Sequence, residues 1–264
     1  SGQGQLVLVT GEAGIGKSRL ALELAADLEE SPHAWLACRG SPQHQHTPFH
    51  PITDLLSQGP AGERDLPLEE RWDGFSRALA RAGVKPAEGL PLVSQLVGLA
   101  VGDGHAPPQV SPDEARRRLL STLSAWLVGM ARLEPLVVVF EDLHWMDPST
   151  LELLGLLSEA GASAPLLLVL TARPELRAPW PLLSHHMHLT LNRLGREQVV
   201  LVGVLLQILA VQKLHGDVGH LGRLILVGVE DLDDVGVVER PGGLGLPEEA
   251  LLDVLDRNLV QVRV

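Results

Sequence analysis

The sequence predicts an α/β fold, a parallel sheet of about five strands flanked by helices. Two observations predict it. Three short runs, Leu6 to Val9, Leu136 to Phe140 and Leu166 to Leu170, are almost wholly apolar, as strands buried on both faces must be. Long stretches of helical pattern separate them, and parallel strands need such crossovers because a tight turn cannot join them. Two further strands are expected over His33 to Arg39 and over His186 to Leu191, where Met187, Leu189 and Leu191 alternate with polar neighbours.

Composition bounds the possibilities. A chain of 264 residues with 45% hydrophobic and 20% charged side chains is large enough for a buried core and is neither a disordered nor a fibrous composition. With 21 Lys plus Arg against 33 Asp plus Glu, the net charge of -12 argues against general attraction to nucleic acid or an anionic membrane, while leaving room for a local phosphate site. The one cysteine, Cys38, excludes an intrachain disulfide and fits a reducing, cytoplasmic compartment. The longest apolar run, Val199 to Val211, is interrupted by Gly203 and Gln207 and falls short of the roughly 20 residues a bilayer requires. No basic segment followed by an apolar core opens the chain, so no secretory signal is expected. Ser1 to Gln5 run straight into a strand, as in a piece of a longer polypeptide.

The strand Gln5 to Thr10 feeds a glycine-rich loop, and a helix from Lys17 to Glu30 leaves it with Leu20, Leu24 and Leu28 along one face. The stretch from Gly40 to Pro135 is far longer than one crossover helix needs and must hold structure of its own. Pro48, Pro60, Pro67, Gly83, Pro91 and Pro107-Pro108 divide it, leaving helices over Pro51 to Gln58, Leu68 to Ala82 and Leu90 to Val101. A long helix then spans Pro112 to Leu133, opened by Ser111 as N-cap, Pro112 at its first position and Glu114 at the capping-box spacing. A long helical insertion thus precedes the strand Leu136 to Phe140. From Val199 alanine nearly vanishes and no period holds, with breaks at Gly216 to Gly222 and Gly236 to Gly245 and one clean helix at Pro247 to Leu259. Residues 1–198 are therefore expected to be the core and 199–264 a separate tail.

The loop Gly11-Glu12-Ala13-Gly14-Ile15-Gly16-Lys17-Ser18 matches G-x-x-x-x-G-K-[ST] in full, between a strand and a helix as the motif requires. Its glycines let successive main-chain N–H groups turn inward onto phosphate oxygens at the positive end of the helix. Lys17 is expected to bridge the β and γ phosphates of ATP, Ser18 to offer its hydroxyl to Mg²⁺, and Arg19 to complete the nucleotide-contacting stretch. The fold class narrows accordingly to a P-loop NTPase.

The second constellation closes the strand Leu136 to Phe140 with Glu141-Asp142. Carboxylates at the end of a buried strand suit metal binding and activation of the attacking water. Asp142 is the first choice for Mg²⁺ and Glu141 the second, on a strand expected to neighbour the loop strand. Arg173, after the strand Leu166 to Leu170, is a candidate sensor of the γ phosphate, because ligands gather at the carboxyl edge of a parallel sheet.

The segments GEAGIGKSRL at 11–20, SPQHQHTPFHPITDLL at 41–56, VVVFEDLHWMDPSTLELL at 137–154 and TARPE at 171–175 resemble the STAND class of AAA-related ATPases. More narrowly they are similar to the ATPase domain attached to bacterial class III adenylate/guanylate cyclases and LuxR-type regulators. The resemblance covers about residues 1–198. It implies a nucleotide switch that binds ATP or ADP, self-associates or opens with ATP, and signals to covalently attached cyclase, helix-turn-helix or repeat domains. It also implies an acidic strand beside the loop strand, an adenine-holding motif upstream of the loop and a helical lid after Asn192-Arg193-Leu194. No recognisable lid follows Val199, and a shifted reading frame, checkable in the coding DNA, is the expectation for 199–264.

Other readings carry less. His44, His46 and His50 sit among Gln43, Gln45, Thr47 and Pro48 and read as a polar loop rather than a metal site, as do His185, His186 and His188. Arg116-Arg117-Arg118 spread around a helix and read as a solvated face. No Asn-Lys-x-Asp is present to read guanine, and a small-molecule kinase leaves the Glu141 to Pro148 block unexplained. An initiator-like DNA-binding ATPase is disfavoured by the acid excess. A non-catalytic nucleotide-binding or interaction module is the remaining alternative to an ATPase.

Overall fold

A computed structural model describes residues 4–58, 66–99, 110–181, 183, 185–191 and 262–263. Its centre is the expected parallel sheet, built from β1 (Gln5–Gly11), β2 (Ala34–Arg39), β3 (Leu136–Glu141), β4 (Leu166–Ala172) and β5 (His186–Leu191). A two-residue strand, β6 (Val262–Arg263), lies antiparallel to β5. The spatial order is β2-β3-β4-β1-β5-β6. β1 pairs in parallel with both β4 and β5, and β3 with both β2 and β4.

This order corrects one expectation. The acidic strand β3 is not beside the loop strand β1; β4 lies between them. The physical consequence is room: two strand spacings set the carboxyl ends of β1 and β3 about 10 Å apart. A pair of adjacent strands would leave half that width.

The period of two along the strands sorts their side chains into two cores. Leu6, Leu8, Leu136, Val138, Phe140, Leu166, Leu168 and Leu170 join one cluster, while Val7, Val9, Val137, Val139, Leu167 and Val169 join the other. The second core is closed by α1 (Lys17–Asp27), through Leu20, Ala21 and Leu24. The first is closed by α2 (His50–Gln58), α3 (Leu68–Arg81), α4 (Pro86–Leu96), α5 (Pro112–Leu133) and α6 (Pro148–Ala160). Leu136 to Phe140 are at most 1% exposed, which is why that run shows no polar alternation.

Helix α5 has the bounds its capping signals predict, and Ser111 Oγ accepts the Glu114 N–H at 3.3 Å. Helix α4 does not follow its prediction. It begins at Pro86, continues through Pro91 and stops at Leu96, before Gly98 at φ 63°. Pro86 occupies the first-turn position that needs no N–H, and Pro91 forfeits only one main-chain bond in a short, well-buried helix. Helix α1 ends three residues earlier than expected, because the chain tightens at Leu28 into a turn closed by Ser31 N–H to Leu28 O at 2.9 Å. The expected segment Asn192-Arg193-Leu194, the helix Pro247 to Leu259 and the division at 199 lie outside the described residues. No helix among the described residues is long and apolar enough to cross a membrane.

The histidine clusters behave as loop and packing groups. The His44 and His50 rings stack at 3.7 Å, and no group of three or more metal-ligating side chains gathers among the described residues. His185 and His186 both direct Nε2 to the Ser158 carbonyl, at 2.8 and 3.2 Å. Arg117 and Arg118 pair with Glu114 on the exposed face of α5, and Arg116 pairs with Glu152. Cys38 is buried, and burial first, then the Asp54 carboxylate, pushes its thiol up to about 12.

His186 supplies a pH dependence. The Leu183 N–H donates to its Nδ1 at 3.2 Å, so the ring is neutral, and burial lowers its pKa below the ordinary 6.5 against the opposing Ser158 carbonyl. The unfolded chain takes up a proton below that value while the folded chain does not. Stability from His186 is therefore complete above the unfolded pKa and is lost as pH falls through the lowered folded one. Melting temperatures taken between about pH 7 and pH 5 should fall more steeply in the native sequence than in His186→Gln. Parallel slopes would contradict the assignment.

Candidate functional site

The carboxyl edge of the sheet gathers the residues singled out from the sequence. β1 ends at Gly11, and the chain then curls through Gly14 at φ 75° and Gly16 at φ 103° into α1. Both are left-handed conformations that a side chain would strain. Gly11 is tight for another reason: a Cβ there would lie 2.9 Å from both Ile15 Cγ2 and the Leu191 carbonyl. The result is a loop wrapped around the Lys17 side chain, whose Nζ donates to Gly11 O at 2.7 Å and Glu12 O at 2.8 Å. Among the described residues no side chain caps α1 and no acid occupies its first turn. The orphan N–H groups of that turn and the positive helix end therefore face the same loop.

Electrostatics tie this loop to the acidic tip of β3. Burial pushes the Lys17 ammonium below its ordinary value, the Asp142 carboxylate pulls it back up, Arg173 lowers it further and Glu12 raises it. Lys17, Asp142 and Arg173 thus share one electrostatic field although they come from three elements. Ser18 follows Lys17 in the first turn, partly exposed. Arg19 differs from its expected part in one respect: its side chain is exposed and pairs with Glu23 at 3.4 Å, leaving its main-chain N–H as what it can offer a phosphate. Glu12, Ala13 and Gly14 are exposed at the loop tip, and Ile15 is half-buried.

The acids are held by contacts that a linear reading does not show. Glu141 closes β3, and Asp142 turns away in the left-handed region at φ 57°, ψ 50°. Its N–H donates to Thr171 Oγ1 at 3.1 Å, from the end of β4, and its carbonyl accepts from Trp145 at 2.8 Å. Arg39, opposite Glu141 in the β2–β3 register, reaches both carboxylates: Nε lies 3.2 Å from Asp142 Oδ2 and Nη2 3.7 Å from Glu141 Oε2. That Glu141 oxygen is buried and has no hydrogen-bond partner among the described residues. Arg173 is exposed, its guanidinium 5.7 Å from the centre of the Trp145 ring. His144, missed in the sequence, has its pKa lowered chiefly by burial, with Asp142 opposing and Arg173 and Lys17 adding to the fall.

The donor set fits a hard divalent cation bound to phosphate. It consists of a hydroxyl, Ser18, and two carboxylates, Asp142 and Glu141, of which one oxygen accepts no hydrogen bond among the described residues. The uncapped start of α1, reached through two left-handed glycines, and a buried amine fit an anion. Arg39 and Thr171 escaped sequence reasoning because their contacts depend on which strands become neighbours; the polar residue ending an apolar run, Thr171, was the available signal.

Fold and site together define a P-loop ATPase domain. Residues 1–169 match the family model described as AAA ATPase domain, and the chain belongs to that family. It is also similar to an uncharacterized protein of Rhizobium meliloti (strain 1021), with 30% identity over 201 residues. The match covers 75% of this chain and spans 19% of that relative's length.

Gly40 tests how closely the site is packed. A Cβ on Gly40 would lie 2.5 Å from the Asp142 carbonyl oxygen and 3.1 Å from Met146 Cγ. Gly40→Ala should destabilise the protein by about 1–3 kcal/mol in urea denaturation, the range for overpacking a filled site. An unchanged midpoint would show that the acidic turn is free to move.

Proposed function

We propose that this chain binds ATP with Mg²⁺ and hydrolyses it slowly, as the nucleotide-switch domain of a multidomain signalling or transcription-regulating protein of the STAND class. One observation carries the reading: the buried Lys17 amine, wrapped by its own loop, lies within the field of the acid at the tip of β3. A glycine-rich turn without function has no need of an amine buried in its own curl.

In this reading the main-chain N–H groups of Gly14 to Ser18 hold the β phosphate, and Lys17 leaves the carbonyls of Gly11 and Glu12 to bridge the β and γ oxygens. Ser18 and Asp142 would hold Mg²⁺, which when bound would supply neutralisation of charge on the phosphates. Glu141 orients a water and accepts its proton as the oxygen attacks the γ phosphorus and ADP leaves. Arg173 faces the charge that develops on the γ phosphate. Slow turnover is supported by Arg39, whose guanidinium lies 3.7 Å from Glu141 Oε2 and competes for the carboxylate that would serve the water. Attached cyclase, helix-turn-helix or repeat domains would receive the change, and self-association is its expected companion; both rest on the resemblance of the motifs.

Binding of a fluorescent ATP analogue and release of phosphate test the scheme separately. Lys17→Ala should weaken binding by about tenfold or more, the scale of a lost charge-assisted contact. Glu141→Gln should keep binding but lose roughly 10²-fold in phosphate release, as expected when a general base is removed. Native affinity in Lys17→Ala, or native release in Glu141→Gln, would refute the corresponding role.

A further inference from the structure

Asp147 has no part in the scheme above, yet its carboxylate is only 1% exposed. Its Oδ1 accepts the main-chain N–H groups of Ser149 and Thr150, each at 3.0 Å, and its Oδ2 accepts the Thr150 hydroxyl at 2.6 Å. Those three contacts cap α6. The fourth does not. Oδ1 also accepts the N–H of Phe49 at 2.9 Å, from a loop far earlier in the chain. Phe49 is a non-glycine residue held at φ 57°, a strained conformation that persists only where its surroundings fix it.

The other end of the same loop is fastened to the acids. Gly40 N–H donates to the Glu141 carbonyl at 2.8 Å, and Gly40 is packed against Asp142. Between Asp142 and Asp147 the chain makes one compact turn, closed by Trp145 N–H to Asp142 O and by Met146 N–H to Leu143 O at 3.0 Å. The segment from Gly40 to Phe49 therefore straps this turn at both ends, and Asp147 is the far buckle.

We propose that Asp147 is a positioning residue for the carboxylates at the tip of β3: by clamping Phe49 it fixes the turn from Asp142 to Asp147 and so the place where the Asp142 side chain enters the cleft. This rests on the ATP and Mg²⁺ reading of the site. Helix capping alone accounts for the bonds to Ser149 and Thr150 but not for the one to Phe49. Loss of the carboxylate leaves that buried N–H without a partner in a strained loop, and the turn loses its anchor.

The test compares the native chain with Asp147→Ala and Asp147→Asn. Asparagine keeps an oxygen for the three N–H groups, and its amide can donate to the Thr150 hydroxyl. Two measurements are read: amide hydrogen exchange in the nucleotide-free protein, and the gain in fluorescent ATP affinity on passing from EDTA to Mg²⁺. Asp147→Ala should speed exchange at Phe49 and at Leu143 to Met146 together. It should also cut the Mg²⁺-dependent gain about tenfold, the scale of losing a residue that orients a metal ligand, with the EDTA affinity within about twofold of native. Asp147→Asn should restore both. Faster exchange confined to α6, an unchanged gain in Asp147→Ala, or a loss in Asp147→Asn as large as in Asp147→Ala would overturn the proposal. If Asp147→Ala melts below the measuring temperature, Thr150→Ala is read the same way, with a partial loss expected and no change decisive against. A native chain without any Mg²⁺-dependent gain would refute the reading of the site instead, and the exchange data would still judge the clamp.

Discussion

The constraint on which everything else depends is the parallel register of the central sheet. Because β1, β3 and β4 run the same way, Gly11, Glu141 and Ala172 end at one edge, and every loop that leaves them shares that edge. β4 acts as a spacer of fixed width. It sets the Lys17 loop and the acidic tip two strand spacings apart, while their charges still act on one another. The apolar filling of both faces keeps that width constant, since each fully buried leucine contributes roughly 2 kcal/mol to the layers that grip the sheet.

Local charge and overall charge run in opposite directions here. The chain carries a net -12, yet its cleft edge gathers Lys17, Arg39 and Arg173 around two acids. Local cations and the positive start of α1 favour an anion at this edge, while the acid excess elsewhere discourages extended polyanions. Arg39 shows how the acids are managed: two neighbouring carboxylates share one guanidinium, which is itself largely exposed and so only loosely held.

What was legible in the sequence is what local chemistry dictates. Gly14 and Gly16 announce left-handed turns before a helix, Ser111 with Glu114 announces a capped helix start, and unbroken runs such as Leu136 to Phe140 announce fully buried strands. What was not legible depends on partners distant in the chain. Strand order is decided by how whole faces pack, so the placement of β4 between β1 and β3 had no local signature. Arg39 and Thr171 acquire meaning only after that order is known, and Asp147 reads as a helix cap until Phe49 is found on its Oδ1. Pro91 shows the opposite failure: a local rule, proline near a helix start, was overridden, since the helix begins at Pro86 and runs through Pro91 with Leu90, Leu92 and Val93 buried around it.

A double-mutant cycle between Lys17 and Asp142 measures most directly whether the loop and the acidic tip act on one ligand. Affinity for Mg²⁺ and an ATP analogue would be determined for the native chain, Lys17→Ala, Asp142→Ala and the pair. Two groups gripping the same triphosphate and cation should give losses that do not add, with a coupling of at least about 0.5 kcal/mol. Strictly additive losses would mean that the two residues serve separate places, and the shared cleft would have to be abandoned.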